Sequence, residues 1–329
     1  MEAGQEAAFP PAATVLEAVQ EADCIRAGVC EAVREVSRAR RLRKWIIEYR
    51  ILRCGPAGEL REESVVGKSY ADDRGVVAYR LLWHLWRHGL GAGSRYTIAR
   101  PIAYLEPWRL LLMSRAPGRT LAANLLDPVH ACRRAAEAAT WLARLHVIPL
   151  PDPPPGGDPA REAGPGRFIR ELGAAVPGQR ARIVALGQLL AEGGAPRSSH
   201  VAFLHGDLHP RNVFIDADRV TVIDFDHCTA GDPARDVAYL ISQIQVAAFL
   251  RFGDFHRHDA SARAALTTYL RKRPPLEPDA FLTRVARCRA RWILESLHYE
   301  LCVVHARRPE IVPAFLGEVE RSLEGEIFA

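Results

Sequence analysis

Three polar residues on one short stretch could hold a metal ion and move a proton. Asp207 precedes Asn212 by five positions on a loop stiffened by Pro210, and Asp224 follows at the end of an apolar run. Val213–Ile215 and Val220–Phe225 read as strands around the turn Asp216–Arg219. A hairpin there would return Asp224 beside Asn212. Carboxylate and carboxamide oxygens are hard ligands of the kind magnesium takes, with water and phosphate completing its shell. The set suits phosphoryl transfer: one aspartate accepts or orients a hydroxyl's proton, while the other and the asparagine hold the metal on the phosphates.

The full segment, residues 204–236, runs L-H-G-D-L-H-P-R-N-V-F-I-D-A-D-R-V-T-V-I-D-F-D-H-C-T-A-G-D-P-A-R-D. H-G-D-L-H-P-R-N, then I-D-F-D, then G-D-P-A-R-D resembles the catalytic segment of the aminoglycoside phosphotransferase family, whose choline kinase-like members share a protein-kinase-like fold. The resemblance implies Asp207 as base, Asn212 and Asp224 as metal ligands, and His205, Asp232 and Asp236 as supports of the loop. Asp226 is grouped with these supports, and His209, two residues after Asp207, reads as a loop support or a further proton acceptor. It also implies ATP and Mg2+ as cofactors.

The elements that must position these residues divide the chain. Residues 13–22 read as a short amphipathic helix. Between about 30 and 70 the pattern is that of strands, including Lys44–Leu52 and Ser64–Tyr70. Arg74–His88 has helical spacing, and strands follow near Ala99–Tyr104 and Arg109–Met113. Beyond them come long helices over Ala131–His146 and Phe168–Leu190, a Pro/Gly-rich connection over Pro149–Gly166, and a helical pattern from Ala234 onward. The expected architecture is α+β and two-lobed: an N-terminal antiparallel-sheet lobe with one helix over 1–113, including a helical extension over 1–29, then a larger, mainly helical lobe over 114–329.

Within the first lobe the resemblance assigns Lys68, near the end of its strand, to the α/β phosphates. It makes the backbone of Met113, Ser114, Arg115 and Ala116 a hinge for adenine. Two departures stand out. Arg74–His88 contains no glutamate to pair with Lys68, so Asp72, Asp73 or a distant glutamate would have to serve, or the lysine waits for nucleotide. No G-x-G-x-x-G is present; the turn Gly55–Gly58 or a turn at Ser37–Arg41 would have to cover the phosphates. The basic run Arg38, Arg40, Arg41, Arg43, Lys44 is ordinarily a solvated face, with a phosphate-facing role as the other reading.

Composition narrows the remaining classes. With Lys+Arg 44 against Asp+Glu 39, the charge surplus gives no footprint for nucleic acid. Seven scattered cysteines without a C-x-x-C pair argue against a disulfide framework or a structural zinc. The acidic start and the lack of a long apolar run give the expectation of a cytoplasmic chain off the membrane. The acceptor expected is a small-molecule hydroxyl of aminoglycoside, sugar or amino-alcohol type. A Ser/Thr peptide kinase and a nucleotide-binding pseudokinase are the alternatives. Carboxylates for a cationic acceptor could come from Glu295, Glu300, Glu318, Glu320, Glu324, Glu326, Asp254 and Asp259, although their interleaving with arginines is also the pattern of a solvated helix face.

Overall fold

The computed structural model describes residues 9–22, 29–41, 44–55, 58–152, 154–155, 165–192, 200–306 and 308–329. Parts of the Gly55–Gly58 turn, of the basic run and of the Pro/Gly-rich connection lie outside the described residues. The chain divides into two compact units, Met1–Pro117 and Gly118–Ala329.

The first unit is built on an antiparallel sheet of five strands: β1 (Val29–Arg41), β2 (Lys44–Cys54), β3 (Leu60–Ser69), β5 (Pro101–Leu105) and β6 (Leu110–Ser114), in the order β1-β2-β3-β6-β5. A short strand β4 (Tyr96–Ile98) precedes the last two. Strand alternation puts Ile47, Tyr49 and Ile51 of β2 on one face, where they join Val65, Ile102, Leu110 and Leu112. Helix α1 (Ala12–Ala22) closes that core with Val15 and Val19. Helix α2 (Arg74–Leu85) packs on β5 and β6. The close approach of its Gly75 to the Tyr70 and Tyr104 rings leaves 2.8 and 2.6 Å for a side chain.

Two expectations change here. Ser37–Arg41 is not a turn: β1 stays paired through Arg41, which stands opposite Lys44. Exposed, charged residues on an edge strand give no apolar alternation to read, and only the partner strand fixes them. The helix expected over Arg74–His88 ends at Leu85, with a wider π-type turn over Trp86–Leu90 relaxing through Gly89 at φ 109°.

The second unit is mainly helical. Its strands are short: β7 (Arg119–Thr120), β8 (Ala202–Leu204), β9 (Val213–Asp216), β10 (Arg219–Val222) and β11 (Thr229–Gly231). β9 pairs antiparallel with β10 and β7, and β8 with β11. The helices are α3 (Leu121–Asn124), α4 (Ala131–Leu145), α5 (Gly166–Ala175), α6 (Arg180–Glu192), α7 (Ala234–Phe252), α8 (Asp259–Lys272), α9 (Pro278–His298) and α10 (Val312–Leu323). Phe168, Ile183, Phe249, Ile293, Leu297 and Phe315 form the heart of its core. The single helix expected over Phe168–Leu190 is two, α5 and α6, broken at Pro177-Gly178, because proline lacks the amide a continuing helix needs. Among the described residues no helix is long and apolar enough to cross a membrane.

Candidate active site

The Asp207 loop is fixed from beneath by one carboxylate. Asp236, in the first turn of α7 and 1% exposed, accepts from the backbone N–H of His205 at 2.7 Å and of Gly206 at 3.0 Å. It also accepts from His146 Nε2 at 3.2 Å, while His146 Nδ1 accepts from the Tyr269 hydroxyl at 2.7 Å. Burial holds His146 below the ordinary imidazole range, so the ring is neutral. Burial alone would raise Asp236, but the hydrogen bonds from the His146 ring and the His205 N–H bring it below the ordinary carboxylate range. His146, at the end of α4, thus braces the loop through Asp236.

His205 is fully buried and works in the same frame. Its Nδ1 accepts from the Asp207 N–H at 3.2 Å, which leaves the proton on Nε2 to donate to the Ile223 carbonyl at 3.1 Å. Its ring lies 4.6 Å from Phe225 and 6.1 Å, edge-on, from Trp141. Burial keeps it neutral, its pKa pushed down. Gly206 takes φ 76°, and a Cβ there would stand 2.0 Å from the His227 carbonyl oxygen, so only glycine fits.

Across the loop, Asn212 donates from Nδ2 to the Asp207 carbonyl at 3.0 Å, and its own carbonyl accepts from Ile223 N–H at 3.0 Å. With Val213 opposite Val222, the hairpin returns the chain so that Asp224 follows directly after the residue bonded to Asn212. The expected strand over Val220–Phe225 ends at Val222, and Asp224 turns into the left-handed region at φ 70°. That conformation is uncommon outside glycine, though aspartate tolerates it better than most residues. Because Asn212 spends its NH2 on the loop, its side-chain oxygen is the atom left for a cation. One carboxylate and one carboxamide oxygen match magnesium, which takes few protein ligands. Among the described residues no three His, Cys, Asp or Glu side chains converge as a protein-only cage.

Asp207, Asn212, Asp224, His205 and Asp236 are therefore brought together. His209 accepts from Arg211 N–H through Nδ1 at 3.0 Å and so shapes the loop's far end. Burial lowers its pKa. Asp226 lies two residues past Asp224, half-buried. Asp232, expected to brace the loop, instead bonds the Ala234 N–H at 3.0 Å and Arg284 at 2.8 Å, stabilising the start of α7. One residue escaped the sequence reading. Tyr239 of α7 donates its hydroxyl to Asp207 Oδ1, and its ring stands edge-on to Trp292 at 5.0 Å. The signal was available: Tyr239 lies three positions after Asp236 and so shares its helix face.

In the first unit Lys68 lies on the third strand, opposite Ile46 and Leu111, and is 8% exposed. Its Nζ stands 5.6 Å from the Tyr70 ring centre. Asp72 is engaged by Arg74 at 2.9 Å, and Asp73 lies 3.7 Å from Arg109. At the hinge segment, Met113 is paired within the sheet. Ser114 N–H donates to the Arg100 carbonyl at 2.9 Å, and Arg115 N–H to that of Ser64 at 3.1 Å. The Arg115 side chain pairs with Glu48 at 2.5 Å. The Ala116 N–H is bonded to nothing among the described residues, which makes it the segment's available donor.

Most acceptor-site carboxylates are committed elsewhere. Glu318 pairs with Arg289 and His256, Glu320 with Arg182, Glu326 with Arg321, and Asp259 with His256. Asp254 accepts from His256 N–H at 2.8 Å.

Comparison with known proteins bears on this geometry. The family model described as "Phosphotransferase enzyme family" (APH) matches residues 77–269. No curated protein sequence matches the chain. Several solved structures share the fold. An amicoumacin kinase in complex with AMP-PNP, calcium and amicoumacin is 15% identical, with 89% of this chain and 90% of that one covered at a TM-score of 0.60. Choline kinase from Cryptosporidium parvum is 14% identical over 89% of each chain, with a TM-score of 0.61. Spectinomycin phosphotransferase, solved with ADP and spectinomycin, is 12% identical over 98% of this chain and 100% of that one, with a TM-score of 0.57. With the Asp207 loop inside the matched span, and the family model covering more than half of the sequence, the chain belongs to the phosphotransferase enzyme family.

Proposed function

We propose that this protein transfers the γ-phosphate of ATP to a hydroxyl of a small polar molecule. The observation that carries the reading is the convergence around Asp207: a half-buried carboxylate on a rigid loop, with the Asn212 side-chain oxygen and Asp224 beside it. Asp207, its carboxylate oriented by the Tyr239 hydroxyl, accepts the acceptor hydroxyl's proton. Asn212 and Asp224 hold magnesium, which when bound neutralises the charge of the phosphates. Lys68 grips the α/β phosphates from the first unit, and the hinge backbone, chiefly the Ala116 N–H, meets the adenine edge. Family relatives named for amicoumacin, spectinomycin and choline support a small-molecule alcohol as the acceptor class.

The test is a transfer assay with γ-labelled ATP and magnesium over aminoglycosides, sugars, amino alcohols and Ser/Thr peptides. Label on a small molecule, lost in Asp207→Ala, is the expected outcome. Label on the peptides alone would replace this reading with a peptide kinase. MgATP binding without transfer to any acceptor or to water would replace it with a pseudokinase.

A further inference from the structure

Positive charge in this chain is written almost entirely as arginine. Of the 44 basic side chains 41 are arginines, and the three lysines are Lys44, Lys68 and Lys272. A lysine that is only a solvated charge could be arginine here, as nearly every other one is. Two of the three nevertheless converge on one aromatic ring. Lys44 Nζ lies 5.1 Å and Lys68 Nζ 5.6 Å from the centre of Tyr70.

Strand register explains the convergence. Ile46 of β2 stands opposite Lys68 of β3, so Lys44, two residues earlier, shares its face of the sheet as the diagonal neighbour. Trp45 N–H donates to Ser69 Oγ at 2.8 Å, tying the start of β2 to the end of β3. The apolar core against α1 occupies the opposite face. Tyr70 is buried beneath the start of α2 and presents a fixed ring to both ammonium groups.

Two ammonium groups on one ring repel each other. The ring's negative face offsets part of that repulsion. Lys44 also faces Asp72, whose carboxyl is held below the ordinary range by the Arg74 hydrogen bond first and by the Lys44 charge as a smaller contribution. A polyphosphate carries enough negative charge to meet both ammonium groups at once. A compact ammonium with three donors serves phosphate as a point charge, where arginine's planar fork would need its own geometry. The stretch 29–54 contains no glycine at all, so the glycine-lined backbone cradle that usually covers phosphates cannot form in β1 or β2.

We propose that Lys44 is a second phosphate-binding lysine, which grips the nucleotide's phosphates together with Lys68 in place of a glycine-rich cradle. The assignment rests on the kinase reading above, and it extends that reading to a residue outside the motifs that identify the family.

Calorimetric titration of MgATP, adenosine and inorganic tripolyphosphate tests it, with wild type, Lys44→Gln, Lys44→Arg, Lys68→Gln and the exposed Lys272→Gln compared at matched melting temperature. Loss of one charge-assisted phosphate contact predicts that Lys44→Gln weakens MgATP and tripolyphosphate about tenfold or more and leaves adenosine unchanged. Lys44→Arg should recover part of the affinity, and Lys272→Gln should match wild type. Unchanged MgATP affinity in Lys44→Gln overturns the assignment while leaving the kinase reading intact. So does an equal loss for MgATP and adenosine, which would mark damage to the fold. Absence of MgATP binding in the wild type would overturn the kinase reading and this assignment together.

Discussion

The loop that carries Asp207 and the strand that carries Lys68 are held by different means. In the second unit, backbone amides converge on Asp236, His205 and Asn212 bond the loop to Ile223, and Tyr239 bonds the Asp207 carboxylate itself. In the first unit, Lys68 and Lys44 are placed by antiparallel register and by the ring of Tyr70. The difference fits the tasks proposed for the two. A base must meet one proton within a few tenths of an ångström, so its supports remove each rotation in turn. A phosphate grip acts through charge, which falls off gently with distance and tolerates a looser frame. Substitutions in the loop should therefore disturb fold and turnover together, while those at the grip should change affinity alone.

The largest loss is expected at Asp236. Asp236→Ala strips two buried amides and His146 of their shared acceptor, and should lower unfolding stability by about 3 kcal/mol or more in urea titrations. A loss below about 1 kcal/mol would mean that the loop is held by something else. Next comes Lys68→Met, which keeps the volume of the side chain and removes its charge. It should weaken MgATP about ten- to hundredfold with stability nearly unchanged. A large drop in melting temperature would erase the contrast between the two regions.

Tyr239→Phe sharpens the comparison from within the loop. It removes one hydroxyl and keeps the ring against Trp292. Turnover should fall about tenfold with MgATP affinity unchanged, because only the orientation of the base is affected. In an Asp207→Ala background the same change should have no further effect; a full additional tenfold loss would separate Tyr239 from the base.

The smallest effect is one of pH. His146 and His205 are both pushed below the ordinary imidazole range by burial. The unfolded chain then binds protons that the folded one refuses once pH falls below about 6.5. Their contribution is complete above that value and declines as pH falls beneath it. Asp236, whose carboxyl is depressed in the fold, adds its own loss at lower pH still. Stability that stayed flat between pH 7 and 5.5 would show that these rings take up protons in the fold as readily as in the unfolded chain.

Much of this was legible in the sequence, for identifiable reasons. Asp207, Asn212 and Asp224 announce themselves because a loop and a hairpin fix their spacing locally. Lys68 could be placed because β2 is rich in β-branched and aromatic residues at strand period, and Val65 and Val66 mark the short strand near whose end Lys68 lies. Tyr239 was missed because its partner lies 32 positions away and its one local signal is the helix face it shares with Asp236. The left-handed turn at Asp224 was equally invisible, since nothing in I-D-F-D marks it apart from continued strand. Lys44 was absorbed into a basic run that reads as solvated. Its face of the sheet emerges only from the register between β2 and β3. The turn assigned to Ser37–Arg41 failed for the same reason, being an edge strand ordered by its partner.

The central claim is that Asp207 drives phosphoryl transfer and has no part in holding nucleotide. Single-turnover release or transfer of the γ-phosphate from labelled MgATP, measured beside the nucleotide dissociation constant in wild type and Asp207→Asn, tests it directly. The account predicts a rate lower by about a hundredfold or more at an unchanged dissociation constant. A variant that retains the wild-type rate, or that loses MgATP binding in proportion to its rate, would contradict it.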